Sequence, residues 1–273
     1  MTILTNNKES FHMESRILNF QNGKFSINFL QGGSGTPLLY LHSASGLQTG
    51  EYLNLLSQNF QVYAPWHPGF GPSTGEEHLS DTVDLALYYQ DLMDELEIES
   101  ACVVGHSFGG MLAAEIAALC PNRVKKLVLV SPLGLFREDL PVLDFFSVSP
   151  DKLVNALWHD PSSKVFQHAR ATATSETPQV DLEAQKQRSF ATAKKFLVPF
   201  SNWGLKHRIN HIQAPTLIVW GESDGLVPSD YARDFCSQIQ QAQVTLLPNC
   251  GHLPMFEQQD SFISTVTEFL QKA

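Results

Sequence analysis

Positive charge is scarce in this chain. Its 18 lysines and arginines stand against 28 aspartates and glutamates, a formal net charge of −10. No basic run is visible. Nucleic acids and anionic membrane surfaces both require clustered cations, so neither is expected as a partner. Long hydrophobic runs are missing too: nothing approaches the roughly 20 apolar residues that span a bilayer. The first fifteen residues are polar and lack the apolar centre of an export signal. Cysteine is sparse, with four residues (Cys102, Cys120, Cys236, Cys250) scattered along the chain. A cytoplasmic protein with reduced thiols is therefore expected. His207 and His211 are four apart but have no acidic or cysteine partner nearby, so no metal is expected there and the pair reads as a solvated helix face. The Gly32–Pro37 loop lacks the Lys-Ser/Thr of a phosphate cradle and leads into a strand rather than a helix.

Apolar material is plentiful. With 273 residues, 43% of them hydrophobic, the chain can fill one large α/β domain or two small ones. Residues 1 to about 13 read as a loose lead-in. Two strands, Arg16–Phe20 and Lys24–Gln31, flank Asn22-Gly23, a strong hairpin-turn signal. Apolar strands follow at Leu38–Leu41, Phe60–Pro65, Cys102–Gly105, Val124–Val130, Thr216–Trp220 and Val244–Leu247. Helical periodicity appears near Leu47–Leu56, from about Asp81 to Leu96, from Ser107 to Leu119, up to about Ile239, and in the C-terminal segment. Alternating strands and helices with buried strands predict a parallel sheet covered on both faces. From Leu133 to about Trp203 the texture changes to short helical pieces, prolines and aromatics. This stretch reads as a helical cap over residues 134–206, inserted in a core formed by 14–133 and 207–273.

The chemistry is concentrated at three strand ends. Gly105-His106-Ser107-Phe108-Gly109 joins an apolar strand to an alanine-rich helix. A serine on such a sharp turn presents its hydroxyl above the sheet, and small residues on either side let the backbone turn that tightly. Asp224 and His252 follow the strands Thr216–Trp220 and Val244–Leu247. In an open parallel sheet, ligands sit at the carboxyl ends of the strands. A serine hydroxyl needs a base to accept its proton, and His252 can serve. Asp224 would hold the imidazole in the right tautomer. Glu222 and Asp230 are rival acids; Ser131-Pro132-Leu133-Gly134 leaves no acid after the Val124–Val130 strand. Backbone N–H groups of Phe108 and of Ala44, in the small-residue run His42–Gly46, would bind the oxyanion. Candidate substrate contacts are Ser43, His106, Phe136, Trp158 and Leu226. His42 and His106 also read as structural groups packed beside the site, and Cys250 as a buried, inert thiol.

With these segments in view, the chain resembles the α/β-hydrolase superfamily from about Arg16 to Ala273. The likeness rests on His42–Gly46, Gly69-Phe70-Gly71 with Ser73, Gly105–Gly110, and the Gly221–Pro228 and Cys250–Pro254 segments. It implies an eight-stranded, mostly parallel sheet, a helical cap, no cofactor, and catalysis by Ser107, His252 and Asp224. Many relatives have His-Gly at His42-Ser43 and an aspartate at Trp66. The leading expectation is a serine hydrolase cleaving a small or medium carboxylic ester or lactone through an acyl-enzyme, as a monomer or homodimer. A serine at the elbow argues against relatives that use aspartate there. The second reading is a carbon–carbon bond hydrolase of the meta-cleavage type. Those relatives carry Gly-rich loops after the first histidine and an asparagine before the serine, unlike His42-Ser43 and His106-Ser107. The third is a ligand receptor with a near-silent triad. The aromatic cap and acidic balance favour an uncharged or aromatic-apolar substrate.

Overall fold

Continuous burial along the central strands builds one sheet with two apolar faces. The computed structural model describes residues 13–172, 179–201 and 203–272; the lead-in over residues 1–12 lies outside them. In chain order the elements are β1 (Glu14–Phe20), β2 (Phe25–Gly32), β3 (Pro37–Leu41), α1 (Glu51–Ser57), β4 (Gln61–Pro65), α2 (Thr82–Glu95), β5 (Ala101–His106), α3 (Phe108–Leu119), β6 (Val124–Val130), α4 (Pro150–Leu157), α5 (Lys164–Thr172), α6 (Gln179–Leu197), β7 (Thr216–Gly221), α7 (Tyr231–Gln238), β8 (Ala242–Leu247), α8 (Pro254–Glu257) and α9 (Gln259–Gln271). The strands lie in the order β1-β2-β4-β3-β5-β6-β7-β8. β2 is antiparallel to β1 and β4, and every other pairing is parallel.

Because side chains alternate across a strand, neighbouring residues of the central strands enter different clusters. Leu39, Leu41, Val103, Leu127, Leu129 and Ile218 pack on the side of α2, α3 and α7. Leu38, Tyr40, Val104, Val128, Val130 and Val219 pack with Leu53 and Leu56 of α1 and Phe262 and Val266 of α9. The expected hairpin turn forms where Asn22-Gly23 predicts it. Gln21 and Asn22, at φ 50° and 57°, join Gly23 in the left-handed region.

Two expectations change. β6 is not apolar throughout: Lys125 is exposed, and half-buried Lys126 donates to the carbonyls of Phe269 (3.0 Å) and Leu270 (3.3 Å). A cation there answers the orphan carbonyls and negative dipole end of α9. Helix α1 begins at Glu51 rather than near Leu47, because Gly46 adopts φ 92° and Gly50 is extended. Leu47 is buried from the loop instead.

Between β6 and β7 the regular elements of the described chain are helices, and the stretch is tied to the core on two sides. α4 starts on Ser149, which caps Lys152 N–H, with Pro150 in its first turn. α6 reaches the loop after β4: Thr192 donates to the Gly69 carbonyl (3.3 Å), Lys195 to that of Glu76 (2.7 Å), and Gly71 N–H donates to Ser189 (3.0 Å). Phe145, Phe146, Phe200 and Trp203 pack ring against ring. His207 and His211 end two short 3-10 turns and are exposed, rather than sharing a helix face.

Candidate active site

β5 and α3 meet at Ser107 with almost no connecting chain. Ser107 takes φ 56°, ψ −113°, a strained conformation for a residue with a side chain. Its N–H donates to the Val130 carbonyl (2.9 Å), and its own carbonyl accepts from Met111 (3.1 Å) and Leu133 (3.0 Å). The close packing depends on missing side chains. A Cβ on Gly105 would meet the Gly109 carbonyl and the Ala113 methyl, and one on Gly109 would strike the carbonyls of Leu41 and His42. The start of α3 is thereby pressed against the end of β3. Met111 is the first intrahelical donor, so the amides of Phe108 to Gly110 lie ahead of the helical ladder.

The facing loop is a tight turn. Gly46 N–H donates to the Ser43 carbonyl (3.0 Å) and Ser45 N–H to the Ser43 hydroxyl (3.3 Å), with half-buried Ala44 at the bend. Two buried histidines fix its base. His67 N–H donates to His42 Nε2 (2.9 Å), which places the His42 proton on Nδ1, where it is given to the Ser43 carbonyl (2.7 Å). His67 Nε2–H donates to the His42 carbonyl (2.9 Å), and its Nδ1 accepts from Tyr89. The two rings lie 3.7 Å apart between centroids. Burial, and for His42 also the neighbouring His67, keeps both neutral: His42 falls well below the ordinary histidine range and His67 falls to about 3.

Asp224 and His252 form a buried pair. His252 Nδ1–H donates to Asp224 Oδ2 at 2.7 Å. Asp224 Oδ1 accepts from the amides of Leu226 and Val227, both at 2.9 Å, and Oδ2 also accepts from the Trp220 indole at 3.1 Å. Four donors thus saturate a carboxylate that solvent cannot reach. Glu222 and Asp230 are exposed. The His252 backbone is equally held. Its carbonyl accepts from His106 Nε2 (2.8 Å), and its N–H donates to the Leu157 carbonyl at the end of α4 (2.8 Å). Ala156 accepts from Gly225 N–H (3.0 Å). Glu257 accepts from Gly251 N–H (2.8 Å) and His159 N–H (2.7 Å). Burial lowers His106 to about 3, with His252 adding to the shift. A base restrained to one tautomer, a buried anion behind it, and free amides at a helix start can activate a hydroxyl and stabilise an oxyanion.

Residues 29–259 match the family model of the α/β hydrolase fold. The chain is a member of the α/β-hydrolase fold family.

This hydrolase is 30% identical over 268 residues to a 2-hydroxy-6-oxo-6-phenylhexa-2,4-dienoate hydrolase of Comamonas testosteroni, covering 91% of this chain and 92% of the relative. It is 28% identical to a 2-hydroxymuconate semialdehyde hydrolase of Pseudomonas sp. strain CF600, with 90% of each chain covered. Among solved structures it superposes on the meta-cleavage product hydrolase CumD of Pseudomonas fluorescens IP01. The TM-score is 0.74 at 28% identity, over 94% of this chain and 97% of that one. These relatives correct the expectation of an ester or lactone hydrolase: they are carbon–carbon bond hydrolases. The expectation went astray because a serine elbow with an oxyanion loop serves attack on any carbonyl, so the motif does not distinguish an ester from a ketone.

Several expected substrate contacts have other partners in this hydrolase. His106 spends one ring nitrogen on the His252 carbonyl. Trp158 is buried against Phe166, and Leu226 is buried while its amide holds Asp224. Ser43 forms the tight turn after β3, and Phe136 is half-buried at the start of the insertion. Sequence reading passed over His67, His159 and Glu257, which bond residues distant along the chain, and Trp220, whose partners Asp224 and Val227 are near but whose N–H is hidden in an apolar strand. Burial pushes the Cys250 thiol above its ordinary range. Among the described residues no cluster of three histidines, cysteines or acids could hold a metal, and no helix is long and apolar enough to cross a membrane.

Proposed function

We propose that this hydrolase cleaves a carbon–carbon bond in a 2-hydroxy-6-oxo-2,4-dienoate, with Ser107 as nucleophile, His252 as base and Asp224 as the acid behind it. The observation that carries the reading is similarity over nine-tenths of both chains to hydrolases of such compounds. The saturated Asp224 and the single His252 tautomer support the assignment of roles. The dienol first loses its hydroxyl proton and gains one at carbon 5, which makes it a 2,6-diketone. The Ser107 oxygen then adds to carbon 6 while His252 Nε2 accepts its proton. The amides of Phe108 and Ala44 receive the negative charge. Breaking the bond between carbons 5 and 6 sends the electron pair into the conjugated 2-keto acid, whose dienolate oxygen takes the proton back from His252, and leaves an acyl-serine. Water, deprotonated by His252, releases the carboxylic acid. The carboxylate of such a substrate replaces the expectation of an uncharged one.

The purified protein should bleach the conjugated absorbance of 2-hydroxy-6-oxo-6-phenylhexa-2,4-dienoate. Ser107→Ala is expected to slow turnover at least about 10⁴-fold. A wild-type protein that leaves dienoates intact while turning over p-nitrophenyl esters would sink the reading.

A further inference from the structure

Asp224 receives one donor that holding it in place does not require. Its Oδ1 is fixed by two backbone amides at 2.9 Å each, Leu226 and Val227, and its Oδ2 by His252 at 2.7 Å. The Trp220 indole N–H adds a fourth contact at 3.1 Å, on the same oxygen that faces the base. Trp220 is fully buried on β7, four residues ahead of Asp224, and shares its proton with the Val227 carbonyl at 3.0 Å. An N–H on a carboxylate oxygen draws charge from it, and more strongly where water is absent. The oxygen then has less charge to offer the imidazolium that forms when His252 accepts a proton.

We infer that Trp220 is a positioning residue that sets the basicity of His252 through Asp224 Oδ2. The inference rests on the reading of Ser107, His252 and Asp224 as the reacting set. The other ionisable groups around the base are accounted for. His106, from β5, stands 5.0 Å away between ring centroids and is held neutral by burial. Glu257, on α8, is engaged by the amides of Gly251 and His159. The His159 ring meets the Ser223 hydroxyl, and the Cys250 thiol is pushed up by burial. None of these touches Asp224 Oδ2; the indole does. Without it the carboxylate becomes more basic, the imidazolium is favoured, and more base is protonated at a given pH. Activation of Ser107 then begins at higher pH.

The test replaces Trp220 by benzothienylalanine, introduced at that position alone, which keeps the bicyclic shape and removes the N–H. Trp220→Phe serves as a second variant. The readout is the pH dependence of Ser107 labelling by a fluorophosphonate, together with thermal melting. The labelling needs no assumption about the natural substrate. The acid limb of the labelling rate is expected to move up by about half a unit to one unit, a modest shift because the indole proton is shared. A merely structural role would lower the melting temperature and leave the limb where it was, and that result overturns the inference. A wild-type protein whose Ser107 does not label at all removes the triad reading, and the inference with it. Labelling with an unmoved limb removes only the role of Trp220.

Discussion

Single side chains decide which of several candidates does the chemistry. Three acids lie within nine residues of one another, Glu222, Asp224 and Asp230, and only Asp224 is buried and bonded to His252. Asp224→Asn keeps the volume but loses the charge that favours the imidazolium, so dienoate turnover should fall about 10⁴-fold. Glu222→Gln should leave the rate within about two-fold, as for a surface change remote from the reacting atoms. Steady-state kinetics of the two variants checks the assignment, and the reverse pattern would refute it. At this scale the sequence was informative where chemistry and chain order coincide. Ser107, Asp224 and His252 each follow a strand of the sheet, as their chain order indicates, and the structure joins Asp224 to His252. Trp220 carried no such sign. It reads as one more apolar residue of β7, and only three dimensions show its N–H turned to the carboxylate.

Whole elements were legible where their residues pack locally and obscure where distant partners decide. α3, with an apolar surface nearly all round and a stop at Pro121, and β6, which ends at the Ser131-Pro132 turn, lie within a residue of their expected limits. α1 is shorter than its apolar spacing suggests because Gly46 and Gly50 hold the preceding loop in non-helical conformations. The end of α4 was opaque for a different reason. Ala156 and Leu157 act through backbone carbonyls, which residue type does not reveal, and their partners are Gly225 and His252. Glu257 completes this strap by bonding both Gly251 and His159. Glu257→Ala would orphan two amides, at a cost of about 1–3 kcal/mol for each one left buried. Glu257→Gln retains one acceptor oxygen and should lose less. Urea denaturation of both variants tests this order, and equal losses would show that the two bonds do not matter.

For the molecule as a whole, the three buried histidines beside the site tie stability to pH. His67 and His106 are lowered to about 3 and His42 lies well below its ordinary value, each chiefly through burial. Unfolded, each would titrate near 6.5. Above that pH neither state carries the extra protons, and the stability of the neutral histidines is fully present. As pH falls from about 6.5 towards 3, the unfolded chain binds protons that the folded one refuses, and stability is lost. Glu257, raised by burial, pulls the other way, but it is one group against three. Urea midpoints should therefore stay nearly level above about pH 6.5 and drop steadily from there to pH 5; a flat profile over that range would show that the histidines are charged when folded. The strap at the end of α4 also bears on how such proteins exchange parts. An inserted cap is often pictured as a module that recombination can swap while the core keeps working. Here the insertion supplies the carbonyl that receives the amide of His252. A foreign insertion spliced in at the ends of β6 and β7 would remove the carbonyl that holds the His252 amide. A successful graft should preserve residues 156–159 with the host.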